Sequence, residues 1–217
     1  MKIRKISFIE AKSPETHIFS KFPIPRLGCL ILGTILKEKG YEVKVFIEDF
    51  DRPDWTFVEN SDLVCISTIT STAFRAYEIA DRLRTKNITV VMGGAHPTFV
   101  PDESLSHSDY VVRQEGDITL PELLNYLESG NPPLTSILGL SYKDKNGTIT
   151  IHNPSRPLIE DLDNLLAHLY LFAISIVSLH CSKAYSIINF LLNFVKTTEF
   201  SFTKTVSSIL IPNLFLK

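Results

Sequence analysis

The sequence predicts a doubly wound α/β fold, in which a five-stranded parallel sheet carries helices on both faces. Short apolar runs alternate about five times with helical stretches, and that alternation is typical of βαβ units. Residues 62–69 form a continuous apolar run with β-branched side chains, as in a strand that is buried on both faces of a parallel sheet. Residues 73–86 instead have the periodicity of an amphipathic helix.

Each predicted element follows from a local pattern of apolar and turn-forming residues. The predicted strands cover residues 5–11, 42–48, 62–69, 88–94 and 109–116. The predicted helices cover residues 27–39, 73–86 and 119–129, with shorter ones near Phe57 and Pro101. Residues 12–26 and 95–103 are predicted loops, and the second overlaps the short helix near Pro101. The apolar face of the helix at 73–86 is assigned to Phe74, Tyr77, Ile79, Ala80 and Leu83.

The chain changes character after its first 130 residues. Residues 139–152 alternate polar and apolar side chains around Asn146-Gly147, a dipeptide that favours hairpin turns because both residues tolerate a positive φ. The expected division is therefore an α/β domain at 1–135, a β-hairpin and linker at 136–165, and an apolar, helical tail at 166–217.

The tail is rich in Leu, Ile, Phe and Ser, and charged residues are scarce in it. Its first apolar run is short for a membrane span, which needs about 20 apolar residues. We therefore favour a tail that does not cross a membrane. Packing on the α/β domain, association with another chain and contact with a membrane surface remain open, since a large exposed apolar patch would otherwise promote aggregation.

Charge and cysteine content limit the classes of function. Lys and Arg number 22 against 24 Asp and Glu, so the chain lacks the basic surplus of a nucleic-acid-binding protein. The three cysteines, Cys29, Cys65 and Cys181, are far apart and odd in number, so they predict neither a disulfide framework nor a close-spaced metal motif. This usage fits a reducing, cytoplasmic setting.

Three segments follow the ends of predicted strands and are candidates for ligand contact, because ligands of such sheets bind beyond the carboxyl ends of the strands. Gly93 and Gly94 would let a ligand approach the backbone closely, although two glycines also make an ordinary turn. The hydroxyls of residues 67–72 can donate to a ligand or cap the next helix. Residues 115–117 can contact a ligand, but a turn followed by a helix cap explains them as well. His96 can serve as a metal ligand or acid–base group, or as a hydrogen-bonding residue of the loop.

Nucleotide-binding motifs are absent from the sequence. There is no Gly-x-x-x-x-Gly-Lys phosphate loop and no Gly-x-Gly-x-x-Gly after the first strand. Mononucleotide and dinucleotide binding are therefore not supported.

Together these segments resemble one known family. The runs DLVCISTITSTAFRAYEIADRLR, ITVVMGGAHPTFVPDE and DYVVRQEGD, in this order, are similar to the cobalamin-binding domain that precedes the barrel of radical SAM methyltransferases and cyclases. Residues 25–28 before the first helix and residues 48–49 after the second strand fit the same pattern. The resemblance covers roughly residues 3–165 and implies the flavodoxin-like, Rossmann-like cobalamin-binding fold.

The resemblance also implies a cofactor and a set of contacts. Cobalamin would lie across the carboxyl edge of the sheet, with its nucleotide tail in the crevice between the hydroxyls of the third strand and the glycines of the fourth. The implied cofactor contacts are Pro25, Leu27, Gly28, Ser67, Thr68, Thr70, Gly93, Gly94, Ala95, His96, Glu115 and Gly116. No catalytic residue and no metal ligand is implied on this chain.

Two departures from related proteins shape the expected function. The Asp-x-His-x-x-Gly motif that supplies a lower cobalt ligand in other cobalamin proteins is absent. The Cys-x-x-x-Cys-x-x-Cys motif of the radical SAM barrel is also absent, so we expect no iron–sulfur cluster and no S-adenosylmethionine on this chain. Our hypothesis is that residues after 165 arose by truncation or frameshift, or form a divergent segment.

Three functions remain in view. The first is a cobalamin-binding domain that is not catalytic by itself. The second is an accessory subunit that supplies methylcobalamin to a separate radical SAM methyltransferase. The third is a signalling receiver domain, which needs an acidic pair after the first strand and an aspartate after the third, where Ser67 and Thr68 stand instead.

Overall fold

The computed structural model describes residues 2–12, 26–50, 52–144 and 146–158. The strands are β1 (Lys5–Glu10), β2 (Glu42–Ile47), β3 (Leu63–Ser67), β4 (Thr89–Gly93), β5 (Tyr110–Val112), β6 (Leu140–Lys143) and β7 (Thr150–His152). The α-helices are α1 (Leu27–Glu38), α2 (Trp55–Glu59), α3 (Ala73–Arg84), α4 (Ala95–Phe99), α5 (Pro101–His107) and α6 (Thr119–Ser129). The tail predicted at 166–217 and the proposed contact Pro25 lie outside the described residues.

All seven strands belong to one sheet in the order β2-β1-β3-β4-β5-β6-β7. The pairs among β1 to β5 are parallel, which confirms the predicted five-stranded parallel sheet. Strand order reverses at β1, because the chain passes from β1 to β2 on one side and then to β3 on the other. The predicted hairpin, β6 and β7, continues the same sheet in antiparallel register beside β5.

Helices cover both faces of this sheet, as a doubly wound fold requires. On the first face, buried residues of α1 and α6 pack with the strands; they include Cys29, Leu36, Leu120 and Leu123 with Phe8, Cys65 and Val91. On the second face, α2, α3 and α5 pack with the strands; this cluster includes Val58, Ala76, Leu83 and Leu105 with Ile66 and Met92. Helix α1 follows β1, where the strand order reverses. The start of α1 therefore lies beside the carboxyl edge of the sheet at that reversal.

Helix α3 buries a slightly different face from the one predicted. Tyr77, Ile79, Ala80 and Leu83 are buried, but the side chain of Phe74 is 82% exposed. The buried stripe begins with Ala73, and the next residue along a helix is rotated by about 100°. Phe74 therefore points away from the sheet, and its assignment to the core was wrong.

Two segments near the carboxyl edge also differ from expectation. Residues 95–99, predicted as a loop, form the short helix α4 after Gly94, whose φ of 99° turns the chain away from β4. The fifth strand ends at Val112, earlier than predicted, and Gln114 has a φ of 60° that breaks the extended conformation. Both turns direct backbone toward the same edge of the sheet.

Within the part of the chain that the structure describes, no helix is long and apolar enough to cross a membrane.

Candidate functional site

The register of the parallel strands aligns four residues along the carboxyl edge of the sheet. Glu10 pairs with Ser67, Ser67 with Gly93, and Gly93 with Val112. These four residues, which we call the edge row, lie on the face that carries α1 and α6. Because Gly93 has no side chain, the edge row has a gap between Ser67 and Val112.

A second row lies two residues deeper on the same face, since side chains alternate between faces along a strand. In this inner row Phe8 pairs with Cys65, and Cys65 pairs with Val91. All three side chains are buried. The gap at Gly93 is therefore above an apolar floor.

A cavity of about 270 Å³ occupies the space over this floor, between α1, α6 and the ends of β3, β4 and β5. Its lining includes six of the predicted cofactor contacts: Gly28, Ser67, Gly93, Gly94, Glu115 and Gly116. These residues come from helix α1, from the ends of β3 and β4, and from the turns after β4 and β5, and the fold brings them together at one opening. Leu27, Thr68, Thr70, Ala95 and His96 lie outside the cavity lining.

The two glycines at the end of β4, Gly93 and Gly94, have different structural roles. A Cβ atom on Gly94 would lie 2.6 Å from the backbone oxygen of Thr68, and Gly94 has a φ of 99°. A Cβ atom on Gly93 would approach only the backbone oxygen of Val112, at an ordinary 3.4 Å. The fold therefore requires glycine at 94, whereas at 93 the missing side chain leaves room in the cavity.

Gly116 closes the opposite side of the cavity. A Cβ atom there would lie 3.2 Å from a methyl group of Leu32 in α1 and 3.3 Å from one of Val112. The loop after β5 thus packs closely against α1, and glycine permits that approach. The polar lining residues Gln114, Glu115 and Asp117 follow the end of β5, so they lie toward the mouth of the cavity.

A buried ion pair stands at the β1 end of the edge row. Glu10, only 2% exposed, accepts a 2.9 Å hydrogen bond from the backbone N–H of Arg26, and its carboxylate lies 3.7 Å from the Arg26 guanidinium. That guanidinium also donates to the backbone oxygens of Ala11 and Ser67. Burial raises the pKa of Glu10, and Arg26 partly offsets the rise. Arg26 thereby ties the start of α1 to the ends of β1 and β3.

Two thiols line the cavity, Cys65 from the inner row and Cys29 from α1. Burial raises the pKa of Cys29 to about 12 and the pKa of Cys65 well above its usual range. Both thiols are therefore uncharged at neutral pH. With Phe8 and Val91 beside them, they give the inner cavity an apolar surface without a formal charge.

The other face of the carboxyl edge holds a polar cluster, formed by Thr68, Thr70, Thr72, Tyr77 and His96, which we call the hydroxyl–histidine network. His96 is 8% exposed; its Nε2 lies 2.8 Å from the Tyr77 hydroxyl and its Nδ1 lies 3.3 Å from the Thr70 hydroxyl. The hydroxyl oxygens of Thr68 and Thr72 are 2.7 Å apart and share a hydrogen bond. Both ring nitrogens of His96 thus have partners within the protein.

Sequence reasoning missed the cavity walls. Cys29, Leu32, Val91 and Leu120 all line the cavity, but each fits an ordinary core position in the sequence. One signal was available, since Leu32 follows Gly28 by four residues and the two must share a face of α1. Among the described residues, no group of three His, Cys, Asp or Glu side chains is placed to hold a metal ion.

Comparisons with known proteins agree with this geometry. Residues 19–124 match the family model of the B12 binding domain. An uncharacterized methyltransferase of Pyrococcus horikoshii is 36% identical, with 76% of this chain and 38% of that protein covered. The anaerobic magnesium-protoporphyrin IX monomethyl ester cyclase of Synechocystis is 29% identical, with 69% of this chain and 33% of that protein covered. The chain thus spans well under half the length of these relatives.

A solved structure shares the fold. The cobalamin-dependent S-adenosylmethionine radical enzyme OxsB, with aqua-cobalamin and S-adenosylmethionine bound, superposes with a TM-score of 0.55 at 18% identity. The superposition covers 79% of this chain and 26% of that enzyme. At this identity the superposition shows the fold alone, whereas the family match and the sequence relatives mark residues 19–124 as similar to a B12 binding domain.

Proposed function

We propose that this chain holds cobalamin across the carboxyl edge of its sheet, with the nucleotide tail of the cofactor in the cavity over the inner row. The gap at Gly93 carries this proposal. No positive φ and no close backbone contact requires glycine there, so the space that it leaves is available to a ligand. A flat base needs a side-chain-free opening of this kind.

The volume of the cavity supports a site that encloses only part of the cofactor. Pockets that enclose a drug-sized ligand typically measure about 300–1,000 Å³. A volume of about 270 Å³ suits one end of a much larger molecule, while the rest lies outside. The tail would therefore enter the cavity and the corrin ring would stay at the edge.

The edge beside the cavity offers apolar surface for the ring. Phe74 and Phe99 are 82% and 84% exposed, and Ile69 and Val100 are also exposed. They belong to the segments that follow the neighbouring strands β3 and β4. Solvent-exposed aromatic rings at this position would gain burial against a large, flat ligand. Leu27 and Gly28, at the start of α1, would approach the ring from the other side.

His96 is proposed as a positioning residue. Its ring holds the Thr70 hydroxyl on one side and the Tyr77 hydroxyl on the other, and its backbone N–H donates to the Thr68 oxygen. These bonds connect the segment after β3 to α4. Thr70 is exposed at the edge and would be the member of this network that meets the ligand.

We also propose that the described residues act as a binding module and that the catalytic chemistry takes place on another polypeptide or domain. The radical SAM cysteine motif is absent from the sequence, and the described residues form the cofactor-binding fold. A separate radical SAM subunit would then receive the bound cofactor and carry out the chemistry. Co-purification of the chain with such a protein, when both are expressed together, would support this pairing.

The test is a titration of the full chain with hydroxocobalamin, followed by visible absorbance. Gly93→Val should weaken binding by about 5- to 150-fold, which corresponds to an overpacking cost of about 1–3 kcal/mol. Valine suits a strand, so the melting temperature should change little. Thr89→Val, at the opposite end of β4, is the matched control and should bind as the unmodified chain does.

An unmodified chain that is folded and retains no cobalamin would contradict the proposal. Equal affinity of the Gly93→Val variant and the unmodified chain would place the ligand elsewhere.

A further inference from the structure

The cavity differs in polarity between its mouth and its floor. The mouth carries Ser67 and the polar residues after β5. The floor is the inner row, and Cys29 of α1 lies against it. A base that enters by the gap at Gly93 would place its attachment point near polar groups and its far edge against the floor.

The floor offers little to a polar base edge. Phe8 and Val91 have no side-chain donor or acceptor, and a neutral thiol is a weak donor and a weak acceptor. The nearby Ser67 hydroxyl only partly offsets the rise in the pKa of the Cys29 thiol, which stays uncharged at neutral pH. Ring nitrogens and amino groups placed here would lose their bonds to water and gain no comparable partner.

Cys65 is at the centre of this floor. It pairs with Phe8 on one side and with Val91 on the other, directly below Ser67 of the edge row on the same strand. Its side chain therefore faces the far edge of any base that enters between Ser67 and Val112. The chemical character of position 65 should weigh more in selectivity than that of any residue at the mouth.

We propose that this cavity selects cobamides whose lower base is an apolar benzimidazole and rejects those whose lower base is adenine. The inference rests on the proposed function, because it assumes that the nucleotide tail enters the cavity. It adds a specificity that the fold alone does not imply. Methyl groups on a benzimidazole would be buried against the inner row, whereas the amino group and ring nitrogens of adenine would lack partners there.

The test compares three ligands on the full chain: cobalamin, the cobamide that carries adenine in place of dimethylbenzimidazole, and cobinamide, which has the corrin but no base. Cobalamin should bind at least about tenfold more tightly than the adenine cobamide, since leaving one buried polar group unpaired commonly costs that much. Cobinamide should bind more weakly than cobalamin because it lacks the tail.

The outcomes separate the two proposals. Equal binding of cobalamin and the adenine cobamide, with weaker cobinamide, would overturn the selectivity and leave tail insertion standing. Equal binding of cobalamin and cobinamide, or no binding of any of the three, would overturn the proposed function itself.

Two substitutions at one position locate the selectivity. Cys65→Ser replaces a weak hydrogen-bonding group with a strong one, so the preference for cobalamin over the adenine cobamide should fall about threefold or more. Cys65→Ala removes the thiol without adding a polar group and should keep the preference. The same preference in both variants would show that the floor does not select the base. If either variant fails to fold, Cys29→Ser and Cys29→Ala provide the same comparison from α1.

Discussion

The two faces of the carboxyl edge are built in opposite ways. On the face with α1 and α6, the edge row has a gap at Gly93 and the inner row beneath it is apolar. On the other face, the hydroxyl–histidine network fills the corresponding space with side chains that bond to one another. One face leaves room and offers few polar partners, whereas the other leaves its polar groups paired.

Under the proposed function, the first face binds the ligand, and the second face stabilises the backbone around it. Interiors are close-packed, so a gap over buried side chains is costly unless a ligand fills it. A paired polar cluster instead fixes the backbone that surrounds it. We therefore expect substitutions on the first face to change ligand affinity, and substitutions on the second face to change stability.

The largest effect should be on the reactivity of the cavity thiols. At pH 8 a rise in pKa from 9.0 to about 12 lowers the thiolate fraction of Cys29 about 1,000-fold, and only the thiolate reacts with alkylating reagents. Cys29 in the native chain should therefore be alkylated about 1,000-fold more slowly than in urea. Peptide mapping by mass spectrometry would follow Cys29 and Cys65 separately. Similar alkylation rates in the native and unfolded chains would show that the cavity thiols are exposed to solvent.

Gly94→Ala should have the next largest effect, and on stability. The left-handed φ and the contact with the Thr68 oxygen together should cost about 2–4 kcal/mol. Gly93→Ala, one residue earlier, should cost about 1 kcal/mol or less, because its Cβ meets only an ordinary contact. Urea unfolding of the two variants measures the difference. Comparable midpoints would mean that the two glycines do not have the separate roles assigned to them.

Tyr77→Phe should have a smaller effect that is again on stability. The lost hydroxyl leaves the buried Nε2 of His96 without its 2.8 Å partner, which should cost about 1–2 kcal/mol. Cobalamin affinity should change by less than about threefold, since Tyr77 belongs to the supporting face. Tyr41→Phe is the control, because its hydroxyl bonds to Glu128 at an exposed position and its loss should cost about 0.5 kcal/mol or less. A large loss of affinity in Tyr77→Phe would place the ligand on the second face.

The sequence predicted the strands and helices, but it did not predict the cavity between them. Periodicity located the strands around Cys65 and Val91 because a strand buried on both faces is a continuous apolar run. The same property concealed the floor of the cavity, since a side chain facing a cavity and one facing the core have the same chemistry. Only the register shows that Phe8, Cys65 and Val91 form one row.

Two smaller failures have similar causes. Phe74 was assigned to the core because it is apolar, although its position around the helix favours the exposed side. The hairpin was recognised from Asn146-Gly147, but a turn signal does not identify the strand beside which a hairpin packs, and β6 continues the main sheet. Gly93 and Gly94 at the end of β4 were identified as candidates, but their different roles depend on φ and on neighbours that come from other strands.

The smallest expected effect concerns pH and Glu10, at the β1 end of the first face. Burial raises its pKa above 4.5 in the folded chain, and the Arg26 guanidinium opposes that rise. A carboxyl with a raised pKa favours folding below its unfolded pKa, and this contribution is lost as pH increases through the folded pKa. The stability of the unmodified chain relative to Glu10→Gln should therefore increase as the pH falls from 7 toward 4.5. Urea unfolding at a series of pH values measures that difference. Introducing Arg26→Gln into both chains removes the opposing charge, so the pH dependence should become steeper and move to higher pH. A stability difference that is the same at every pH would show that burial does not raise the pKa of Glu10.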